Sequence, residues 1–406
     1  MRKKRSRRGP SPPAFPLPLD LVLEVAARSD PATLVRCAAA SRDLRRRVAD
    51  PAFRSRLRLR HADRFVPSLM RGHLVETRGQ DQLLVDYATG EAAATGCFVP
   101  SIGETAPRLH EPVAARDGLV LVRTTGQTKA EVELRVCNPV TGRGQTLPRG
   151  PRFHGQYVLL VGDGDGDVGR PFRVLKVTSV LSKRSGRRCL QIQAFSSVQG
   201  AWGPRIRIGI PNVHGGWLRR APLVANGAVH WLCRSDTSYY ILKLHVGGAA
   251  AAAQVTATKL PASFHAAYGS AAAGRKHILL ATKPTCSNLC VLVADDKTKI
   301  SVWSQSGRSP ARWGERPEAV IKIDGMLTFT SRMGRFLIQE ASEGKVRLEW
   351  FAERSGVVLI TAGGRYFWLD LRSREIFRWP SSGPWTVESA MNCPYEMDVS
   401  SWVPTF

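Results

Sequence analysis

Two periodicities divide the chain. From Leu17 to about Asp63 apolar side chains recur at helical steps: Leu21 and Val25 lie one turn apart, Leu34, Cys37, Ala38 and Ser41 fall at i, i+3, i+4 and i+7, Leu44 and Val48 keep the step of four, and so do Phe53 and Leu57. Capping signals agree. Asp20 can begin a helix that stops near Arg28-Ser29, and Asp30-Pro31 and Asp50-Pro51 each set a capping carboxylate before a proline whose missing N–H costs nothing at the first helical position. Three or four short helices are predicted.

After roughly Gly72 the pattern becomes strand-like. Candidate strands are Leu83–Tyr87, Leu119–Arg123, Glu133–Cys137, Tyr157–Val161, Phe172–Val177, Leu190–Phe195, Ala228–Leu232, Tyr239–Leu244, Ile278–Ala281, Val291–Ala294, Val346–Phe351, Val357–Thr361 and Tyr366–Leu371. Gly, Pro, Asn-Pro and Ser-Gly turns separate them. Val85–Gly90, Val136–Gly142 and Leu369–Arg374 each put Asp or Asn at a strand end before a tight turn, so each reads as a hairpin. Ala201-Trp202-Gly203 and Arg312-Trp313-Gly314 form a second recurring element. Strand clusters return every ~35–50 residues, the spacing of propeller blades. The expected fold class is therefore α+β: a small helical unit at residues 15–64, then a large all-β, propeller-like domain at 73–406.

Composition supports this division. At 406 residues and 43% hydrophobic the chain can build a sizeable core, and 36 glycines, 26 prolines and 10 tryptophans suit a turn-dense β protein. The net charge of +26 favours anionic partners, but it is concentrated at the front, where residues 1–64 hold 17 Lys/Arg against 6 Asp/Glu. Residues 1–14 form a basic arm with too little apolar surface to order itself. Within it Arg2, Lys3, Lys4, Arg5, Arg7 and Arg8 are candidates for a nuclear-import signal or a weak nucleic-acid patch; no aromatic residues interleave for base stacking.

Gly9-Pro10-Ser11-Pro12-Pro13 follows the basic run where a secretory signal would need an apolar stretch, and no apolar run approaches the ~18–20 residues of a bilayer helix. Eight cysteines, isolated apart from Cys286 and Cys290, fit a reducing compartment. An intracellular protein without membrane contact is expected, in the nucleus, the cytoplasm or both.

The helical segment resembles the F-box. Leu17-Pro18 opens it, Asp20-Leu21-Val22-Leu23-Glu24-Val25 forms its core, Leu34-Val35-Arg36-Cys37 follows, and Asp50-Pro51-Ala52-Phe53 closes it, in family order and spacing. Ala26 and Ser29 stand where the family usually has larger aliphatic residues, and Leu44 replaces a frequent tryptophan. Losing apolar contact of Leu size removes about 1.5–3 kcal/mol, so a weakened adaptor interface is expected. The remaining chain is similar to plant F-box proteins of a grass-type group, through Gly118-Leu119-Val120-Leu121, Cys137–Gly142, Ala225–Leu232 and Cys393–Asp398.

This resemblance implies a substrate-recruiting subunit of a Skp-cullin-F-box ubiquitin ligase. Leu17, Pro18, Leu21, Val22, Val25, Leu34, Val35, Cys37 and Leu44 would meet a Skp-type adaptor and, through it, cullin, while the β domain binds a target protein. The alternative is a basic β-propeller scaffold that binds nucleic acid or acidic protein outside any ligase.

Catalytic and cofactor motifs are weak. Gly164-Asp165-Gly166-Asp167-Val168-Gly169 satisfies G-x-G-x-x-G, but a return to strand follows it instead of a helix, and Asp163, Asp165 and Asp167 would repel a pyrophosphate. As a calcium loop it places Val168 and Val174 where Gly and Glu are needed. Cys286 and Cys290 lack a second ligand pair for zinc, and His110-Glu111 lacks a histidine four positions on. No enzyme, metal or cofactor is expected.

Overall fold

The computed structural model describes residues 17–28, 31–60, 65–66, 69–75, 83–86, 92–94, 109–125, 132–162, 168, 170–181, 188–210, 216–217, 221–235, 238–246, 254–268, 278–283, 288–295, 299–306, 312–322, 346–362, 365–378 and 392–398. The basic arm with its import candidates, the Tyr87–Gly90 turn, Cys97, Asp163, Asp165, Asp167 and Cys286 lie outside them.

Helices α1 (Leu19–Arg28), α2 (Pro31–Ala40), α3 (Arg42–Ala49) and α4 (Pro51–Arg60) occupy the predicted helical interval. Asp50 caps α4 by accepting the Ala52 N–H at 2.9 Å, and Arg45 Nε donates to the Ala38 carbonyl at 3.2 Å, serving the C-terminal end of α2. Leu23, Ala26, Ala27, Leu34, Leu44, Val48, Phe53, Leu57 and Leu69 form a core within this module. Small residues at Ala26, Ala27 and Ala38 let short helices approach closely.

The β region begins at Met70, slightly earlier than the sequence pattern suggests. Five antiparallel sheets are built from consecutive strands. The first is β4 (Leu109–Arg116), β5 (Leu119–Thr125), β6 (Val132–Cys137) and β7 (Gly144–Thr146). The second is β8 (Gln156–Val161), β9 (Phe172–Leu181) and β10 (Arg188–Ser196), with β11 (Ala201–Trp202) and β12 (Ile206–Gly209) sharing the outer edge. The third places β13 (Gly216–Trp217) and β14 (Leu223–Ala225) beside β15 (Ala228–Arg234), then β16 (Tyr239–His245) and β17 (Gln254–Lys259).

After helix α5 (Ala262–Tyr268) come β18 (Ile278–Thr282), β19 (Leu289–Asp295), β20 (Lys299–Ser304) and β21 (Ala319–Lys322). The fifth sheet is β22 (Arg347–Ala352), β23 (Val357–Ala362), β24 (Arg365–Asp370) and β25 (Ile376–Arg378). A sixth is joined from both ends of the domain: β26 (Asn392–Glu396) pairs with β1 (Met70–Val75), followed by β2 (Leu83–Asp86) and β3 (Ala92–Ala94).

Neighbouring sheets pack through their inner strands in a closed order, β26 on β4, β4 on β8, β14 and β15 on β18, β18 on β22 and β22 on β26, with β12 against β17 between the second and third sheets. This is a β-propeller-like ring. Its second strands are covered on both faces, which explains why they read as continuous apolar runs instead of alternating ones. Leu119, Val120, Leu121 and Val122 of β5 are all buried, as is every residue of β23. Separate apolar clusters fill the interfaces all round the ring.

Two of the three predicted hairpins, Val136–Gly142 and Leu369–Arg374, share one kind of turn. Asn138 Oδ1 accepts the Val140 and Thr141 N–H groups, Asp370 Oδ1 accepts those of Arg372 and Ser373, and Gly142 (φ +69°) and Arg374 (φ +62°) then take the left-handed conformation. The Trp-Gly element also recurs in equivalent places. Trp202 pairs with Phe195 on β10 and Trp313 bridges to Gln305 just beyond β20, while the Gly203 and Gly314 N–H groups bond to the carbonyls of Ala194 and Ser304.

Candidate functional site

The predicted adaptor-binding set divides by exposure. Leu17, Leu21 and Val25 are 68%, 52% and 64% exposed; Leu21 and Val25 lie one turn apart on α1, and Leu17 and exposed Pro18 stand just before its start. Val22, Val35 and Cys37 are half-buried. Leu34 and Leu44 are corrected: at 2% and 7% exposure they belong to the module's core and hold its helices together, so they offer no contact surface. An Arg47–Asp20 pair ties α3 to α1.

A short connector fixes this module to the ring. Phe65 is buried against Phe351, edge to face with centroids 5.9 Å apart, and the Val66 N–H donates to the Arg354 carbonyl at 2.7 Å. Gly356 makes room: a Cβ there would sit 2.0 Å from Phe65 Cδ2, and its φ of +74° already disfavours other residues.

Phe65 also lines a cavity of about 470 Å³ at the end of the ring where inner strands turn into second strands. Two hairpins form part of its walls. One sets Leu160 opposite Arg173 across β8 and β9; the other sets Val224 opposite Val229 and Ala225 opposite Ala228 across β14 and β15. Asp117-Gly118 (φ +47° and +81°) and Asn226-Gly227 (+51° and +66°) form two-residue turns with both residues left-handed, matching the twist of the strands they join.

Charged side chains from several sheets meet at this cavity and beside it. Glu353 pairs with Arg116 and accepts the Val224 N–H at 2.9 Å, joining three sheets. Arg354 Nε donates to Asp117 at 2.8 Å, and Arg170 lies 3.8 Å from Asp117 and 3.5 Å from Asp398. Glu396, at the end of β26, accepts the Ser355 N–H at 2.5 Å, its hydroxyl at 2.6 Å and the Arg354 N–H at 3.0 Å.

Burial pushes the Asp117 carboxyl up, but the positive charge and hydrogen bond of Arg354, with Arg116 and Arg170 nearby, outweigh it and hold the group down at about 2. Burial dominates at Glu396 and raises it, against the bonds from Ser355 and the Arg354 amide. Glu396 and Asp398 fall in the Cys393–Asp398 stretch that carries the family resemblance, whereas Asp117, Arg170, Glu353 and Arg354 belong to no motif read from the sequence.

The remaining chemical candidates have ordinary partners or fall outside the described residues. His110 Nδ1 is 2.9 Å from the Thr124 hydroxyl and Glu111 pairs with Arg123. Among the described residues no cluster of ligands could hold a metal, and no helix is long and apolar enough to cross a membrane. Burial pushes the Cys233 and Cys393 thiols up to about 12, which leaves them protonated and poorly reactive.

The closed ring of short antiparallel sheets defines a β-propeller-like protein, an architecture that suggests a protein-interaction scaffold. Residues 98–405 match the family described as "Domain of unknown function (DUF7595)", and the chain belongs to that family. No curated protein matches it. Similar solved structures include a nidogen/laminin complex, at 13% identity and TM-score 0.38, covering 75% of this chain and 93% of that one. TolB from Acinetobacter baumannii is similar at 11% identity and TM-score 0.37, covering 79% and 65%, and the AfRom2 CNH domain at 10% and 0.31, covering 78% and 86%. None of these three likenesses bears on function.

Proposed function

We propose that this chain is the substrate-recruiting F-box subunit of a Skp-cullin-F-box ubiquitin ligase. One observation carries the reading: Leu17, Leu21 and Val25 are exposed apolar side chains on a module whose core is filled by other residues. A folded helix that keeps such side chains in water is suited to a partner's helical groove. The ordered resemblance to the F-box over the same residues names the partner, a Skp-type adaptor. The role is non-enzymatic. The β domain would hold a target protein, and the ligase would gain from proximity and orientation.

Co-purification tests this proposal. Replacing Leu17, Leu21 and Val25 together by alanine should reduce capture of a Skp-type adaptor at least tenfold while leaving the unfolding transition in place, because the changed side chains lie outside the core. Undiminished capture by the folded variant would reject the assignment. Salt-sensitive nucleic-acid binding without adaptor capture by the wild-type chain would support the basic-scaffold reading instead.

A further inference from the structure

We propose that the cavity beside Phe65 is the target-binding pocket and that it takes a peptide segment carrying one carboxylate next to an aliphatic or aromatic side chain. This rests on the reading of the β domain as the target-holding end. About 470 Å³ falls within the ~300–1,000 Å³ of pockets that enclose small ligands, so it suits a few side chains of a peptide better than a whole domain surface. Leu160, Val224, Val229 and Val246 give it an apolar wall.

Charge selects the rest of the ligand. Four cations line the cavity, and three are already engaged: Arg116 with Glu353, Arg354 with Asp117 and Lys283 with Glu318. Arg173, half-buried and next to Leu160 in register, has no acidic partner among the described residues. A guanidinium in that position matches a carboxylate, which can accept two parallel N–H bonds. Asp117 and Glu353 share the lining and offset part of its positive charge, so a doubly charged phosphate would face two fixed carboxylates. The balance favours a single negative charge, with the neighbouring apolar side chain against the wall.

Selection from a random heptapeptide display library against the full chain, without adaptor, tests the pocket independently of ligase assembly. Selected peptides should be enriched in Asp or Glu flanked by apolar residues. Amidating the selected acid should weaken binding at least tenfold, and Arg173→Gln should do the same for the unmodified peptide. Val246→Asp, which sets a negative charge in the wall, should weaken it without touching Arg173 and serves if the first variant does not fold.

Absence of acidic enrichment, or equal affinity in both folded variants, would overturn the proposal. Tighter binding when phosphoserine replaces the acid would overturn the single-carboxylate assignment. Failure here, with adaptor capture still dependent on Leu17, Leu21 and Val25, would reject the pocket and leave the ligase reading standing.

Discussion

At Gly356 two demands coincide, a left-handed backbone and contact with the Phe65 ring. Gly356→Ala must pay about 1–2 kcal/mol for its φ and also displace a side chain whose burial is worth about 1.5–3 kcal/mol. Denaturant unfolding should show a loss of about 2–4 kcal/mol. Adding Phe65→Ala should recover part of it, since the clash disappears, and a double-mutant cycle would reveal that coupling as non-additivity.

The buried histidines give a second test at this scale. Burial lowers His73 from 6.5 to about 3, and it lowers His230 to about 4 against an opposing hydrogen bond to the Ala225 carbonyl. Both folded values lie below the unfolded one. Their contribution is therefore complete above pH 6.5 and is lost as pH falls from there towards 4 and 3, at about 1.4 kcal/mol per pH unit per proton taken up on unfolding. Glu396, raised by burial, acts in the opposite sense, its contribution being lost as pH rises. The clean measurement is the change in slope: His73→Gln with His230→Gln should flatten stability against pH between 6.5 and 4, and an unchanged slope would count against buried neutral imidazoles.

At the scale of elements, β26 does what no other strand among the described residues does, completing a sheet that begins hundreds of residues earlier in the chain. Pro394 is tolerated because β26 pairs on one side only, with its other edge facing the ring's centre. A chain ending before Asn392 should lose cooperative unfolding and aggregate through the bare edge of β1, and a peptide covering residues 392–398 added in trans should restore a compact elution volume.

This is also where legibility stops. Second strands such as β5, β15 and β23 could be read from sequence because cover on both faces demands unbroken apolar runs. By contrast β4 contains Pro112 and a register shift, β7 and β25 are short and half polar, and β26 is interrupted by proline. In the helices, spacing paired Leu21 with Val25 but could not tell their outward face from the inward one that takes Leu34 and Leu44. Asp117, Arg354 and Glu396 could not be grouped from the sequence, because they meet only when distant turns converge.

On the proposed reading, adaptor docking and target binding fall on parts of the molecule that can be separated. The helical core is drawn from α1 to α4 together with Leu69 and Val66 of the connector, and the apolar clusters of the ring contain no side chain of α1 to α4. A fragment beginning at Phe65 should therefore fold, keep target binding and lose adaptor capture. In cells it should lengthen the lifetime of shared targets. Unchanged lifetimes for every protein captured by both forms would argue against a two-ended receptor.

The joining of β26 to β1 also sets an order of events during synthesis. The helices leave the ribosome before the ring and can fold while it is still being made. Throughout that interval β1 waits with one backbone edge unpaired, the kind of edge that recruits foreign strands. A chaperone that shields residues 70–75 until β26 emerges would protect the nascent protein at its most vulnerable stage, and slow translation between the two strands would prolong the exposure.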